Sequence, residues 1–350
     1  MPQRNVSVLA RFTILCLTLL ATPWAQADDV ATPWEQSYEG TDATGSQVLG
    51  LWKFDSEDGV DSSGKNPKGE IRNGRLASGG KYGGALESFA GYPEADQSHG
   101  FVVANSPRLS PGGAFTVELW IKPKPEFAHR DWSVLIDKKY AGHDDYQFSI
   151  GAADGKQQRQ LTLSLGFSSE SQNFLSEPAA FVIDEWVHVA ATYDGKGKVR
   201  FFRNGESLGG ADAPGRGAIS AGSLALSIGD RLGSSFPGFP GYIDEVRLTS
   251  GVREFGQVRI QSEWPRKAFV RFEPAPKWTA SIRNLSPKPI TGATLQAIIE
   301  GHAVQQTALP EIAPGSIHIA EFTFDTTLRP DTYPVMLNVT VPGEPSRQFT

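Results

Sequence analysis

Cysteine is almost absent from this 350-residue chain: there is one, Cys16, with no second thiol to pair it. Disulfides therefore contribute nothing, and stability must come from the size of the core and from any ion the chain binds. Basic runs are missing too, and the formal net charge is −6, which speaks against nucleic acid or an anionic membrane surface as partner. No helix-period segment interrupts the middle of the chain. The short motifs of common catalysts are also lacking: there is no GxSxG elbow, HExxH helix, phosphate loop or sialidase Asp box.

The first 27 residues hold Arg4 and Arg11 but no acid, an apolar core from Phe12 to Ala21, and the small-residue pattern Ala25, Gln26, Ala27. They read as a secretory signal cleaved near Ala27, too short for a membrane span. Cys16 lies inside it, preceded by Leu15 rather than the small residue of a lipoprotein signal. The mature chain is expected to be secreted, periplasmic or at the cell surface, without a thiol. Residues 28–47 are polar and aperiodic and read as a flexible linker.

What the chain does have is Gly (37), Pro (24) and aromatics (10%), a β-rich, turn-rich composition. From Val48 onward short alternating runs recur between Gly, Asn, Asp and Pro clusters: 48–54, 115–123, 132–138, 146–151, 161–167, 186–195, 199–206 and 223–230. This is the pattern of an all-β sandwich or jelly roll. The segment Arg253 to Trp264 reads as a short closing helix, so the first domain is taken as 48–264. Residues 268–350 carry a second set of strands between Pro-rich turns, the size of a small immunoglobulin-like β-sandwich. The sequence stops at Thr350 in a strand-like run, which is either an edge strand or a point from which the protein continues. Asn284 and Asn338 begin N-x-S/T sequons, relevant only in a glycosylating host.

One run breaks its own alternation. In GYIDEVRLT, Tyr242, Asp244, Val246 and Leu248 share one face, and Ile243, Glu245 and Arg247 share the other. An acid thus sits in an apparent core row, where an unpaired carboxylate costs several kcal/mol. Asp244 therefore either marks a bulge or faces a partner.

The ordered series LWKFD, KYGGALE, FTVELWIKP, EWVHVAATYDG, VRFFRNGE, LSIGD and GYIDEVRLT resembles the laminin G-like, concanavalin A-like jelly-roll domains of bacterial secreted proteins. Residues 268–350 resemble, more loosely, adhesion-type immunoglobulin-like domains. The first resemblance implies two opposed sheets, and such domains serve as glycan binders, cell-adhesion modules or passive appendages of enzymes. It also implies that a calcium ion is often held where the first strand meets the last. Asp55 and Asp61 are the acids placed to meet Asp244 there, although both also fit turns that bond their own backbone.

Alternation puts Phe115, Val117, Leu119 and Ile121 in one core row and Val187, Val189 and Ala191 in another. That leaves Glu118, Trp120, His188, Glu245 and Arg247 as a candidate lectin-like face for carbohydrate binding, or a buried network that fixes register. Trp132, Tyr140, Tyr146, Phe236 and Phe239 are loop aromatics that either stack on sugar rings or seal the sandwich. His143 with Asp144 and Asp145 is a weak metal pattern, because neighbouring strand residues point apart.

The fold resemblance extends to laminarinase-type glucanases and alginate-type lyases. Retaining glucanases place two carboxylates about 5 to 5.5 Å apart on one strand. The loose match Glu94–Ala95–Asp96–Gln97–Ser98–His99 lacks the second acid. No catalytic residue is therefore assigned; Glu118, His188 and Glu245 are the acid–base set a hydrolase or lyase would have to use. The expectation is a secreted, non-catalytic module that recognises glycan or an extracellular protein. The alternatives are a surface component without a small ligand and an accessory part of a carbohydrate-active enzyme.

Overall fold

The computed structural model describes Trp34 and residues 37–349, apart from 57–58, 254, 257, 264–267, 275–276, 285–288, 300–303, 334 and 343–346. The expected signal peptide, 1–27, lies outside the described residues. Among them no helix is long and apolar enough to cross a membrane.

Two antiparallel sheets form the first sandwich. One runs in the order Glu206–Asp212, Lys198–Arg203, Val187–Tyr193, Phe115–Pro123, Gly241–Ser250, Gly84–Ser88, Arg75–Ser78, with Val48–Trp52 also paired to Gly241–Ser250. The other runs Ser171–Leu175, Leu161–Gly166, Tyr146–Gly151, Trp132–Asp137, Leu226–Ile228, Gly100–Val103, Glu70–Arg72. Alternate apolar residues from both inner faces interdigitate as one core, among them Phe115, Val117, Leu119, Ile121, Phe148, Leu163, Val189 and Phe201. The two core rows read from the alternation are the observed ones.

The expected helix from Arg253 is not there. Val258–Glu263 is a strand paired with Lys277–Asn284, and it belongs to the second module. Its alternation places Val258 and Ile260 in that module's core with Trp278, Leu295 and Phe322. This module packs a three-stranded sheet, Val258–Glu263, Lys277–Asn284 and Ile317–Thr323, with a four-stranded one, Val304–Ala308, Thr294–Ile299, Val335–Thr340 and Arg347–Phe349. The sequon residue Asn284 is buried in it and donates its amide to the Ile312 carbonyl at 2.8 Å.

The described part of 28–47 is no free linker. Trp34 and Tyr38 are each 1% exposed, a short helix spans Gly40–Thr44, and Ala43 and Tyr38 pack with Val48 and Leu51. Large rings carry this segment down. Burying a Trp or Tyr removes about 150–250 Å² each from water, enough to offset the entropy of ordering a polar stretch.

Candidate functional site

The register of three neighbouring strands assembles the polar cluster. On the Phe115–Pro123 strand, Trp120 lies between His188 and Asp244, and Glu118 lies between Ala190 and Arg247. Pairing with Gly241–Ser250 slips between Asp244 and Arg247, and Glu245 in the slip has φ +49°. One extra residue there is a β-bulge. Ile243 on one side of it and Val246 and Leu248 on the other all reach the core, while Asp244 and Arg247 both leave it. Asp244 is thus no member of a core row, and Glu245 and Arg247 do not lie opposite to it. The bulge puts the three on the outer side together.

That outer side is covered. Glu118, His188 and Arg247 are 0% exposed, Glu245 1% and Trp120 2%, so the five do not form an open ligand face. The cover is the chain's own Trp34 and residues 37–44 together with Phe255. The Tyr38 hydroxyl donates to Glu118 Oε2 at 2.6 Å, and the Arg247 guanidinium lies 4.2 Å from the Tyr38 ring centre. Ser37 donates to Glu245 at 2.5 Å, and Trp120 Nε1 donates to the Trp34 carbonyl at 3.2 Å. Trp34 Nε1 donates in turn to the Gly256 carbonyl at 3.2 Å, and its ring packs so closely on Gly205 that a Cβ there would meet it at 2.5 Å. Glu118 is enclosed by Arg247 (3.6 Å), Arg253 (3.4 Å) and His188 (3.3 Å). Burial raises its pKa, but Arg253, His188 and Arg247 outweigh that and hold it down to about 2. This is a closed ionic network under a strap.

Beside it lie the predicted metal acids. Asp61 accepts from Leu51 N, Ser63 N, Ser63 Oγ, Lys65 N, Asn66 N and Asn66 Nδ2 at 2.7 to 3.1 Å. Six donors compete for its lone pairs, so Asp61 is engaged in organising its loop. Asp55 accepts from Gly84 N at 2.9 Å, and Asp244 from Tyr82 N at 2.9 Å and Glu245 N at 2.6 Å. Burial pushes the Asp244 carboxyl up to about 8, helped by the charges of Glu245 and Asp55. Among the described residues no three His, Cys, Asp or Glu converge as a metal site. The His143 pattern comes apart likewise: His143 is exposed and bonds Ser171 Oγ, whereas Asp145 is buried on Lys138 at 2.8 Å.

The opposite sheet presents a different outer face. Across its strands, Asn173 opposes Ser164, Ser164 opposes Gln147, and Gln147 opposes Asp137; beside them Thr162 opposes Ser149. These polar side chains alternate with the core residues Leu163, Leu165, Phe148 and Ile150. Thr162 and Ser164 are half-buried and Asn173 is exposed. At one border Arg231 lies 5.5 Å from the Trp132 ring centre and 4.5 Å from that of Tyr140, whose hydroxyl meets Ser234 Oγ at 3.0 Å. Asp137 anchors this border, accepting from Tyr140 N, Lys139 N, Leu232 N and Gln147 Nε2. Of the loop aromatics, then, Trp132 and Tyr140 form a half-buried wall and Phe236 is half-buried. Tyr146 (1% exposed) and Phe239 (0%) belong to the core and seal it.

The polar row was missed from the sequence, yet its signal is present. YQFSIG and LTLSLGF place Gln147, Ser149, Thr162 and Ser164 at every second position, on the side away from the core, with Gln147 and Ser149 buried and Thr162 and Ser164 half-buried.

No curated protein matches the chain. Among solved structures, domain 4 of the GH43 extracellular arabinanase AbnA from Geobacillus stearothermophilus, in complex with arabinotriose, is 21% identical with a TM-score of 0.42, covering 59% of this chain and 94% of that one. The receptor-binding domain of botulinum neurotoxin C/D mosaic serotype is 11% identical with a TM-score of 0.45, covering 59% and 48%. The heptameric SAP-like pentraxin from Limulus polyphemus is 19% identical with a TM-score of 0.31, covering 41% and 72%. Residues 96–259, spanning most of the first sandwich, match the laminin G-type family model described as the concanavalin A-like lectin/glucanases superfamily.

Proposed function

We propose that the first module is a non-catalytic, secreted glycan-binding module, and that its ligand lies on the outer face of the sheet carrying Thr162, Ser164 and Asn173, against the Trp132–Arg231–Tyr140 wall. One observation carries this reading: that face keeps the side chains of Thr162, Ser164 and Asn173 partly open and without a hydrogen bond among the described residues, beside aromatic rings, whereas the other sheet's outer face is closed by the chain itself around Glu118 and Trp120. Aromatic rings stack on the apolar side of a sugar while hydroxyls and amides bond its rim. Burial of Glu118, His188 and Glu245 also argues against an acid–base role for them. The second module, proposed to be immunoglobulin-like, spaces or docks the first. An oligosaccharide panel that includes arabino-, gluco- and galacto-oligosaccharides tests the assignment. Ser164→Tyr and Thr162→Tyr are expected to abolish binding without lowering the melting temperature; no binding by the parent chain to any sugar favours an extracellular protein partner or a structural role.

A calcium ion is proposed at Asp55 and Asp244, without Asp61. In support, Asp244 is a buried carboxylate with two N–H donors and no ion-pair partner among the described residues, and two further acids repel it. A divalent ion would neutralise that repulsion and draw its remaining oxygens from backbone and water.

A further inference from the structure

A cavity of about 540 Å³ opens in the second module between residues 268–271 and residues 324–333 with Val335, within the roughly 300–1,000 Å³ range of small-molecule sites. Its apolar lining is aromatic: Phe269 and Phe324 stack with centroids 4.7 Å apart at 20°, and Tyr333 is fixed by its hydroxyl on the Arg329 carbonyl at 2.8 Å. Its acids are engaged in turns. Asp325 Oδ1 accepts from Thr327 N at 2.9 Å and Thr327 Oγ1 at 2.7 Å, and Asp331 Oδ1 accepts from Thr332 N at 2.7 Å. The cations are freer. Arg271 gives its Nε to the Thr327 carbonyl at 3.2 Å, which leaves its terminal nitrogens. Arg329 is exposed, and its guanidinium has no hydrogen bond or ion pair among the described residues.

We propose that this cavity is a second saccharide site, selective for sugars that carry an anionic group. Rings offer a stacking surface to the C–H face of a pyranose, and a guanidinium fork matches the two oxygens of a ring-borne carboxylate or sulfate. This site lies in a different module from the polar face above and stands without that reading.

The full mature chain is titrated with a galacturonic acid tetramer, a sulfated galactan oligosaccharide and neutral galactotetraose. At least one anionic oligosaccharide is expected to bind more tightly than the neutral one, with affinity falling as salt rises. Arg329→Glu is expected to weaken that binding by about tenfold or more, Arg329→Lys by less, because a point charge replaces the fork. Ser164→Tyr leaves it unchanged. If, with Ser164→Tyr present throughout to silence the first module's face, neither anionic oligosaccharide binds, galactotetraose binds as well as they do, or adding Arg329→Glu and adding Arg329→Lys both leave binding unchanged, the proposal is wrong.

Discussion

The Tyr38 phenol donates to Glu118 at 2.6 Å, joining a segment that precedes the sandwich to a strand at the sandwich's centre. The contact explains why residues that look made for a ligand are shut away. The chain supplies its own ring, hydroxyl and carboxylate to that face through Trp34, Tyr38 and Asp42.

Removing the phenol leaves a buried acceptor short of a donor. Tyr38→Phe is expected to cost about 1–3 kcal/mol, and Trp34→Ala about 3–5 kcal/mol through lost burial. Thermal melts check both, and an unchanged melt for Trp34→Ala would refute the strap.

Glu118→Gln removes the charge that balances Arg247 and Arg253 in a buried site. Breaking a buried pair by removing one partner costs about 3–5 kcal/mol. Sugar binding per folded molecule should not change; a selective loss of binding at constant stability would restore this face as the ligand site.

Stability should fall as the solution turns alkaline. The folded-state carboxyls of Asp244 and Asp230, raised to about 8 and about 7 chiefly by burial, hold their protons more tightly than in the unfolded chain. Their contributions are complete below the ordinary carboxylate pKa and are lost as pH rises through those values. Glu118 works in the other direction, losing its contribution only as pH falls through about 2. The melting temperature is therefore expected to drop between about pH 4 and 8, and Asp244→Asn should flatten the drop. Excess calcium should raise the alkaline melt of the parent chain but not of Asp244→Asn; no effect of calcium or EDTA on the parent removes the ion from the account.

The aromatic wall can be moved without touching the polar row. Gly233 has φ +83°, and a Cβ there would lie 2.3 Å from the Tyr140 ring. Gly233→Ala should displace Tyr140 from Arg231 and lower sugar affinity by up to about tenfold, read by titration beside the melt.

Much of the sandwich was legible because each strand repeats with period two: Phe115–Ile121 and Val187–Ala191 show their core rows plainly. What escaped depends on contacts distant in sequence. The bulge at Asp244 arises from one extra residue against Trp120 and Glu118, and alternation within the strand alone leaves it ambiguous. Trp34 and Tyr38 stand in a polar stretch without period, so only the face they cover reveals their role. Val258–Glu263 fits a strand once its partner Lys277–Asn284 is present, because a short run carries little information on helix against strand.

The most direct test of which outer face meets the ligand is sugar binding per folded molecule, measured side by side for Ser164→Tyr and Tyr38→Phe. Loss in Ser164→Tyr with full retention in Tyr38→Phe is the predicted result. Retention in Ser164→Tyr together with loss or gain in Tyr38→Phe would place the ligand under the strap and contradict the account.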